Sequence, residues 1–425
     1  MIRDAAIDFR ADVLPSRALK RTLANLGSVV GGEALLRLGS FLAAVIIARN
    51  YGSAVFGVYA AALAYVTVVS MLADNGLQTA AVQQISRAPA DLAAIASRLY
   101  VAKTSLLFPA VLLLAGVTAL LHWPDLVVRI VLLVALRTLL QSYAQLHIAM
   151  LKAIHRMHAI GIVQSLHFTF LIAGILWCYR GAHSITLLLA VMVAGQVVEL
   201  LGSALVLSKY GLRAIRVTVE ECWKLVRLAA PMGAANTMAS IALRCDVVLL
   251  SWMVPATALG HYAAAQSLLV LLSVGSWLLG SVLLADMARL AHDYDALQYY
   301  VARWSHRIAM LLVPAAILAV RAAPPAVRAI FGEAFGEAGG IVVILAMAAP
   351  FLFFNALYLN RAIALDLRSA YVGSYAAALC FGLLIGLILV RSFGATGVAV
   401  AAVAREIFLF TVLRTFAVRP RQVTA

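Results

Sequence analysis

Twelve long apolar runs, separated by short breaks of charged residues, Gly or Pro, constrain this chain more than any other feature. Hydrophobic residues fill 64% of the 425 positions and charged residues only 12%, whereas soluble domains hold roughly 45–50% and about 25%. Each crossing of a bilayer needs about 20 apolar residues, so the chain can supply about a dozen crossings. The pattern predicts an all-α, polytopic membrane protein and excludes a soluble domain.

The distribution of Lys and Arg among the breaks predicts the orientation. If the breaks are taken alternately, beginning with the N-terminal segment, one set carries 22 basic residues and the other carries five. Cytoplasmic loops are the ones that hold an excess of Lys and Arg, so both termini are expected in the cytoplasm. The formal net charge of +15 is therefore mostly a topology signal, and no nucleic-acid partner is expected.

A short internal repeat divides the chain into two halves. The sequence FGVYAAA at 56–62 returns as LGHYAAA at 259–265, an offset of 203 residues. Each copy opens the second helix of a six-helix set, so both sets enter the membrane from the same side. The repeat predicts two six-helix lobes related by a parallel pseudo-twofold axis, with a site between them near the midplane.

The division into lobes gives a set of expected segments. They are a cytoplasmic N-terminal segment over 1–23, an N-terminal lobe over 24–207, a cytoplasmic linker over 208–227, a C-terminal lobe over 228–418 and a cytoplasmic tail over 419–425. Within the linker, Thr218 and Glu221 have the spacing of a capping box. Basic residues around it are typical of a cytoplasmic helix start beside lipid headgroups.

Several motifs together resemble the polysaccharide and oligosaccharide flippase branch of the multidrug/oligosaccharidyl-lipid/polysaccharide exporter superfamily. In chain order they are IARNYG at 47–52 with FGVY at 56–59, ADNGL at 73–77, APM at 230–232, DVVL at 246–249, LGHYAA at 259–264, IFGE at 330–333 with FGEA at 335–338, and GATGVA at 394–399. The family often has a Pro where the eighth helix ends, and this chain has none there. Many relatives have fourteen helices, so twelve suggests a two-lobe core without additional C-terminal helices.

The resemblance implies the fold of multidrug exporters and the activity of a repeat-unit translocase. Such a protein moves a polyprenyl-diphosphate-linked oligosaccharide across the bacterial cytoplasmic (inner) membrane for lipopolysaccharide or exopolysaccharide synthesis. The implied partners are the lipid-linked oligosaccharide and membrane lipids, and a polysaccharide polymerase or another assembly protein stays open as a further one. No cofactor is implied.

Three arginines inside the apolar runs are the leading candidates for a binding site. Arg37, Arg137 and Arg244 lie within the first, fourth and seventh runs, where a bare charge costs at least about 2.5–3.5 kcal/mol and usually faces protein or a wet cavity. The resemblance suggests that they bind the diphosphate through charge-assisted, often bidentate hydrogen bonds. The alternative is a set of structural ion pairs, which the four-residue spacing of Glu33 and Arg37 allows.

Two polar stripes accompany these arginines. The seventh run, taken as one helix over 228–250, and the fourth run each place polar residues four positions apart, on one helix face. The stripes consist of Asn236, Ser240 and Arg244 on the seventh run and of Arg137, Gln141 and Gln145 on the fourth. They are expected to face each other across an aqueous cavity between the lobes.

The acidic residues of the runs allow two interpretations. Glu33 and Asp246 are candidates for ion coupling, since a carboxylate held away from water can exchange protons near neutral pH. A structural ion pair is the alternative for both. Glu199 on the sixth run, and Arg405 with Glu406 on the twelfth, are expected to pair within their own lobes.

The remaining polar motifs point to no further chemistry. Lys103 and Arg129 lie near helix ends and are expected to extend their charged groups to the interface. The nine histidines have no HExxH spacing and the four cysteines no CxxC, so no metal site is expected. No GxxxxGK[ST] stretch occurs, so an internal ATPase is not expected.

Two other function classes compete with the flippase. A multidrug or metabolite/cation antiporter of the same fold would favour an acidic, aromatic cavity, whereas the candidates here are mainly Arg. A membrane-embedded polymerase or glycosyltransferase would need a substantial outward loop. The longest such loop, about 321–337, has Glu333 and Glu337 as its carboxylates, so an enzyme is not expected.

Overall fold

The computed structural model describes residues 16–74, 76–120, 124–181, 184–211, 213 and 215–416. The side chains outside that description are those of 16–34, 72–73, 89, 115, 117–120, 231–236, 239, 281, 285, 368–369 and 416. Within these ranges the regular structure is helical, and two short 3₁₀ segments lie at Pro89–Asp91 and Glu333–Phe335. The α-helices are α1 (Ser16–Asp74), α2 (Leu77–Arg87), α3 (Leu92–Leu120), α4 (Asp125–Ala153), α5 (Met157–Arg180), α6 (Ile185–Ser208), α7 (Val219–Ala242), α8 (Cys245–Met253), α9 (Ala256–Leu290), α10 (Tyr294–Phe331), α11 (Ala338–Ala346), α12 (Ala349–Ala364) and α13 (Arg368–Phe416).

Two helices are too long to be single crossings. Helix α1 has 59 residues and α13 has 49, so either would extend roughly 70–90 Å if straight, against a hydrocarbon core of about 30 Å. Each contains one non-helical glycine with positive φ, Gly52 at 78° and Gly394 at 56°. Glycine adopts this backbone region readily, so each helix is two segments joined by a tight turn.

The number of crossings agrees with the apolar runs. Nine helical stretches in the described part of the chain are long and apolar enough to cross a membrane. The stretches in α1 and α13 are each divided at their glycine into two crossings, and the stretch that contains α11 and α12 counts as one. Helices α7 and α8, which are not among the nine stretches, together form one more crossing. The predicted twelve crossings are confirmed, with six before the segment 209–218 and six after it.

Two glycines of the internal repeat lie where the two lobes contact each other. A Cβ on Gly57 would overlap the carbonyl oxygen of Ala256, and a Cβ on Gly260 would overlap that of Ser53. Gly260 and Ala256 lie 203 residues after Gly57 and Ser53, so the contact is reciprocal. The predicted pseudo-twofold relation is confirmed, and the backbones of α1 and α9 approach at a distance that only glycine permits.

The bundle has two distinct ends. The end that holds Gly52, called the turn end, also brings aromatic rings of the two lobes together. The opposite end, called the linker end, holds the end of α6 and the start of α7. The ring contacts at the turn end are Phe41 with Phe331 and Phe56 with Phe335, with centroids 6.1 Å and 6.2 Å apart. The lobes are therefore closely packed at the turn end.

The start of α7 packs on the N-terminal lobe at the linker end. The backbone N–H of Glu221 donates to Oγ1 of Thr218 at 3.4 Å, and that of Thr218 donates to Oε2 of Glu221 at 3.3 Å, so the predicted capping box is confirmed. Cys222, Leu225 and Ala229 of α7 are buried in one apolar cluster with residues of α2, α3 and α4.

The prediction of one continuous seventh helix is wrong. Leu243 and Arg244 form a break between α7 and α8. The side chain of Gln266 donates to the carbonyl oxygen of Leu243 at 2.9 Å, which satisfies an acceptor that the break leaves without its helical partner. Asn236, Ser240 and Arg244 therefore do not form a stripe on one uninterrupted helix.

Candidate functional site

A cavity of about 460 Å³ lies between the two lobes. Its walls come from α1, α2 and α4 on one side and from α8, α9 and the α7–α8 break on the other. It begins beside Phe41 and Phe56 at the turn end and extends to Asp74 and Gln78 toward the linker end. The ring and glycine contacts described above close it at the turn end.

Most of the predicted binding residues lie on this cavity. Ser240 is not among the residues that line it, and the side chain of Asn236 lies outside the described part of the chain. The predicted residues that line it are Arg37, Arg137, Gln141 and Arg244. Their position brings them together, and their roles in binding stay predictions.

Helix α4 supplies a continuous polar wall of the cavity. Residues four positions apart share a helix face, and α4 is uninterrupted from Asp125 to Ala153. Its cavity-lining residues are Arg137, Thr138, Gln141, Ser142 and Gln145. The predicted polar stripe of the fourth run is therefore on the cavity wall.

The cavity carries more positive than negative charge. Arg37, Arg137 and Arg244 contribute three guanidinium groups, and Asp74 is the carboxylate among the described lining residues. Neither Arg137 nor Arg244 lies within ion-pair distance of a carboxylate in the described part of the chain. The charges of Arg37 and Arg137 act on Arg244. Like charges gathered in such a cleft favour an anionic occupant.

The carboxylate of Asp74 is already matched by a lysine behind it. Nζ of Lys103 donates to Oδ1 of Asp74 at 2.5 Å, and Gln78 donates to Oδ2. The Lys103 side chain is fully buried while that of Asp74 is 20% exposed, so Asp74 faces the cavity. The prediction that Lys103 extends to the interface is wrong, because Asp74 compensates its charge within the lobe. Arg129, in contrast, is exposed near the start of α4.

Of the two candidates for ion coupling, Glu33 and Asp246, the structure describes the side chain of Asp246. The side chain of Glu33 lies outside the described residues. Asp246 lies in the first turn of α8, where Nη1 of Arg405 donates to both of its oxygens at 2.9 Å and the hydroxyl of Tyr262 donates to Oδ2 at 3.2 Å. Asp246 is buried and does not line the cavity. Its part in ion coupling stays a prediction, and in this structure its charge is engaged by Arg405.

The other buried acids pair within their own lobes, as predicted. Glu406 accepts from Nη2 of Arg405 at 3.3 Å and from Nδ2 of Asn355 at 2.9 Å. Glu199 accepts from Nδ1 of His167 at 2.7 Å. Across the described residues no group of three or more His, Cys, Asp or Glu side chains is arranged to hold a metal ion.

A comparison with protein families gives a match over most of the chain. A family model described as "polysaccharide biosynthesis protein" matches residues 22–286. A search of curated proteins gives no match.

Solved structures with the same fold are transporters and flippases. The lipid II flippase MurJ in an inward closed conformation is 11% identical, with a TM-score of 0.74, and the alignment covers 94% of this chain and 87% of that one. An inward-facing multidrug resistance MATE family transporter of the MOP superfamily is 11% identical, with a TM-score of 0.69 and 91% and 96% covered. A MOP superfamily transporter from Pyrococcus furiosus, whose reversed pocket polarity suggests a different function, is 10% identical, with a TM-score of 0.57 and 94% of both chains covered. At these identities the likeness establishes the fold.

Proposed function

The chain belongs to the polysaccharide biosynthesis protein family, and we propose that it moves an oligosaccharide linked to polyprenyl diphosphate across the bacterial cytoplasmic membrane by alternating access. The delivered sugar serves synthesis of a surface polysaccharide such as lipopolysaccharide or exopolysaccharide, and a polymerase or another assembly protein uses it next. The observation that carries the proposal is the cavity between the lobes with its three arginines.

A diphosphate matches this set of arginines chemically. Guanidinium groups donate two parallel hydrogen bonds to phosphate oxygens, and such charge-assisted bonds are stronger than neutral ones. Arg37 and Arg137 come from the N-terminal lobe and Arg244 from the C-terminal lobe. A diphosphate between them relieves their mutual repulsion and connects the lobes, so the proposed substrate stabilises the arrangement that holds it.

The rest of the cavity suits the other parts of the substrate. Sugar hydroxyls need donors and acceptors, which side-chain amides and hydroxyls provide. The cavity offers these at Gln141, Ser142, Gln145, Gln266 and Ser267. Its volume of about 460 Å³ suits a diphosphate and adjoining sugar, and the long polyprenyl chain remains in the lipid.

The direction of movement follows from the charge distribution. The breaks that carry 22 basic residues include the one between α6 and α7 at the linker end, and such breaks face the cytoplasm. We therefore place the linker 208–227 in the cytoplasm, between lobes at 24–207 and 228–418. The substrate reaches the cavity from that side, and rocking of the lobes separates Gly57 from Gly260 to open the turn end.

Multidrug or metabolite/cation antiport is the second use that this fold suggests. An organic cation needs an unmatched carboxylate, and the cavity's described carboxylate, Asp74, is paired with Lys103. Cavity polarity therefore favours an anionic substrate. The relative from Pyrococcus furiosus, whose reversed pocket polarity suggests a different function, illustrates why polarity is a useful discriminator within one fold. Translocation leaves the substrate chemically unchanged, so no catalytic residue is proposed.

A reconstituted transport assay tests the function directly. We expect vesicles containing the protein to move a fluorescent lipid-diphosphate oligosaccharide between leaflets. Arg137→Ala and Arg244→Ala are each expected to slow this movement by roughly 10- to 100-fold, because a hydrogen bond to a charged group contributes about 1.5–3 kcal/mol. Arg129→Ala is the matched control, since Arg129 is exposed on the same helix as Arg137 and does not line the cavity.

A different result of the same assay would identify an antiporter. If lipid-linked sugars do not move and a cationic dye leaves the vesicles when an ion gradient is applied, the protein is an antiporter. Size-exclusion profiles and melting temperatures of the variants show whether a lost activity reflects lost folding.

A further inference from the structure

A buried glutamate in the N-terminal lobe has donors at only one of its two oxygens. Glu199 on α6 is 1% exposed. Its Oε2 accepts from Nδ1 of His167 at 2.7 Å and from Nε2 of Gln196 at 2.6 Å. Its Oε1 is buried and accepts no hydrogen bond. Buried polar atoms nearly always have a partner, so this oxygen calls for an explanation.

A second buried oxygen without a donor lies on the neighbouring helix. Gln164, one helical turn before His167 on α5, is 2% exposed, and its Oε1 accepts no hydrogen bond either. Like Glu199 Oε1, this atom is an acceptor by its chemistry. Two acceptor oxygens cannot form a hydrogen bond with each other unless a proton lies between them.

The packing of α5 against α6 places these two residues at the same level. The helices run in opposite directions, so contacts at two points fix which residues lie opposite each other. A Cβ at Gly195 would lie 3.6 Å from His167, and a Cβ at Gly202 would lie 3.5 Å from Val163. Glu199 lies between the two glycines, and Gln164 lies between their two partners. The register therefore places Glu199 and Gln164 at the same level on the two packed helices.

One proton satisfies both oxygens at once. A carboxylic acid carries an O–H donor, and the amide oxygen of Gln164 can accept from it. The same proton removes the negative charge of Glu199, whose other oxygen accepts from His167 and Gln196 and from no Lys or Arg of the described residues. We propose that Glu199 binds a single proton on Oε1, held by Gln164, and that this proton is taken up and released during transport.

A metal ion fits these atoms less well. Hard cations take about six or more oxygen ligands, and the site offers two oxygens without donors. No Lys or Arg pairs with Glu199 in the described part of the chain. A proton needs only two oxygens, one that binds it covalently and one that accepts the hydrogen bond, and the pair provides both.

The packed helices bring other titratable groups to this part of the lobe. Helix α4 brings His147, whose Nδ1 bonds to Ser203 at 2.8 Å and whose Nε2 bonds to Tyr100, and it brings Arg137 to the cavity wall. Helix α1 brings Arg37 to the same cavity. The side chain of Glu33, also on α1, is outside the described residues.

Helix α4 connects the proton site with the cavity. One face of α4 lines the cavity, and His147 on the same helix bonds to Ser203, one turn after Glu199 on α6. A change in charge at Glu199 alters the packing of α6 against α4 and thereby the position of Arg137. This coupling rests on the proposed transport function, whereas the proton site itself does not.

Infrared spectroscopy of the full-length protein in lipid tests the proton site without any substrate. We expect a carboxylic acid C=O band that disappears as the pH is raised and that is lost in Glu199→Gln. In Gln164→Met the band remains and shifts to higher frequency, because the acid has lost its acceptor. Glu406→Gln is the matched control and keeps the band, since both oxygens of Glu406 already have donors.

Several results would overturn the assignment. They are a band that is absent at every pH, one that Glu199→Gln leaves unchanged, and one that Glu406→Gln removes. A spectral change that depends on sodium and not on pH would assign the site to a metal cation instead.

A transport assay with an imposed pH gradient tests the coupling separately. The rate of lipid-linked sugar movement should respond to the gradient in the wild type and in Glu406→Gln, and not in Glu199→Gln. A wild type that transports at the same rate with and without the gradient contradicts the coupling. A wild type that moves no sugar but keeps the infrared band contradicts the proposed function and leaves the proton site standing.

Discussion

Helices α6 and α13 each carry a buried glutamate into their lobe, and the two glutamates find different partners. Glu406 has Arg405 at one oxygen and Asn355 at the other. Glu199 has His167 and Gln196 at one oxygen and no donor at the other. The two lobes have the same fold, but their buried glutamates have different hydrogen-bond donors. A guanidinium holds Glu406 as part of the structure, whereas Glu199 has a histidine and an amide as donors and, as proposed above, a proton on its other oxygen.

Removal of the arginine from the C-terminal lobe is expected to have the largest effect. Arg405→Met leaves Asp246 and Glu406 buried without their cation, and breaking a buried ion pair in this way costs about 3–5 kcal/mol. Denaturant titration in detergent micelles should show a matching loss in the free energy of unfolding. Arg414→Met is the control, since Arg414 is exposed on the same helix. Equal stability of the two variants would contradict the structural role of Arg405.

Substitution of the two reciprocal glycines tests a contact to which both lobes contribute in the same way. Gly57→Ala and Gly260→Ala each place a Cβ against a backbone carbonyl, and overpacking of this kind costs about 1–3 kcal/mol. Both should weaken the turn end to a similar extent. Gly340→Ala is the control, because its Cβ would have no atom within 4 Å.

Labelling of a cysteine at the turn end measures this effect. In a Ser53→Cys variant that also carries Cys380→Ser, the remaining native cysteines are buried. A membrane-impermeant thiol reagent should react faster after either glycine substitution. If only one of the two substitutions increases labelling, the lobes do not share the contact equally.

Substitution at the break between α7 and α8 tests a difference between the described first crossings of the two lobes. In the first crossing of the N-terminal lobe, the described helix α1 continues up to Gly52, whereas α7 and α8 are separated by Leu243 and Arg244. Gln266→Leu removes the donor to the Leu243 carbonyl, and an unsatisfied buried acceptor costs about 1–3 kcal/mol. Thermal unfolding should show the loss. The neighbouring Ser267→Ala should not, because Ser267 donates to a carbonyl of its own helix.

The smallest expected change concerns Glu199 itself. Glu199→Gln should alter the free energy of unfolding by less than about 1 kcal/mol, because a glutamine amide can donate to Gln164 as the proposed acid does. Glu406→Gln should be more destabilising, since Arg405 loses one of its two carboxylates. A loss of several kcal/mol in Glu199→Gln would mean that Glu199 is ionised and paired with a charged His167.

The sequence was informative wherever a periodic or repeated pattern determines the structure. Apolar runs predict the crossings because each must span the same hydrocarbon thickness. The repeat at 56–62 and 259–265 predicts two related lobes, and its glycines turn out to form their contact. Arg37 and Arg137 are predicted cavity residues because a charge inside an apolar run needs a polar surrounding, and both line the cavity.

Features that depend on contacts between distant segments could not be predicted. Neither Leu243 nor Arg244 is a helix-breaking residue, and the break is satisfied by Gln266 of the next crossing. Lys103 sits near a helix end by sequence but is buried against Asp74, 29 residues away. The site around Glu199 depends on the register of α5 against α6, which no single helix reveals.

The reciprocal contact between Gly57 and Gly260 also bears on the origin of the chain. An interface in which each partner presents the same patch to the other is the one that two identical subunits form in a homodimer. The molecule therefore has the geometry of a dimer of six-helix units whose genes have been duplicated and fused, with the segment 209–218 as the join. After such a fusion the two copies no longer have to change together. The different partners of Glu199 and Glu406 show that the two halves now differ in how they hold a buried carboxylate.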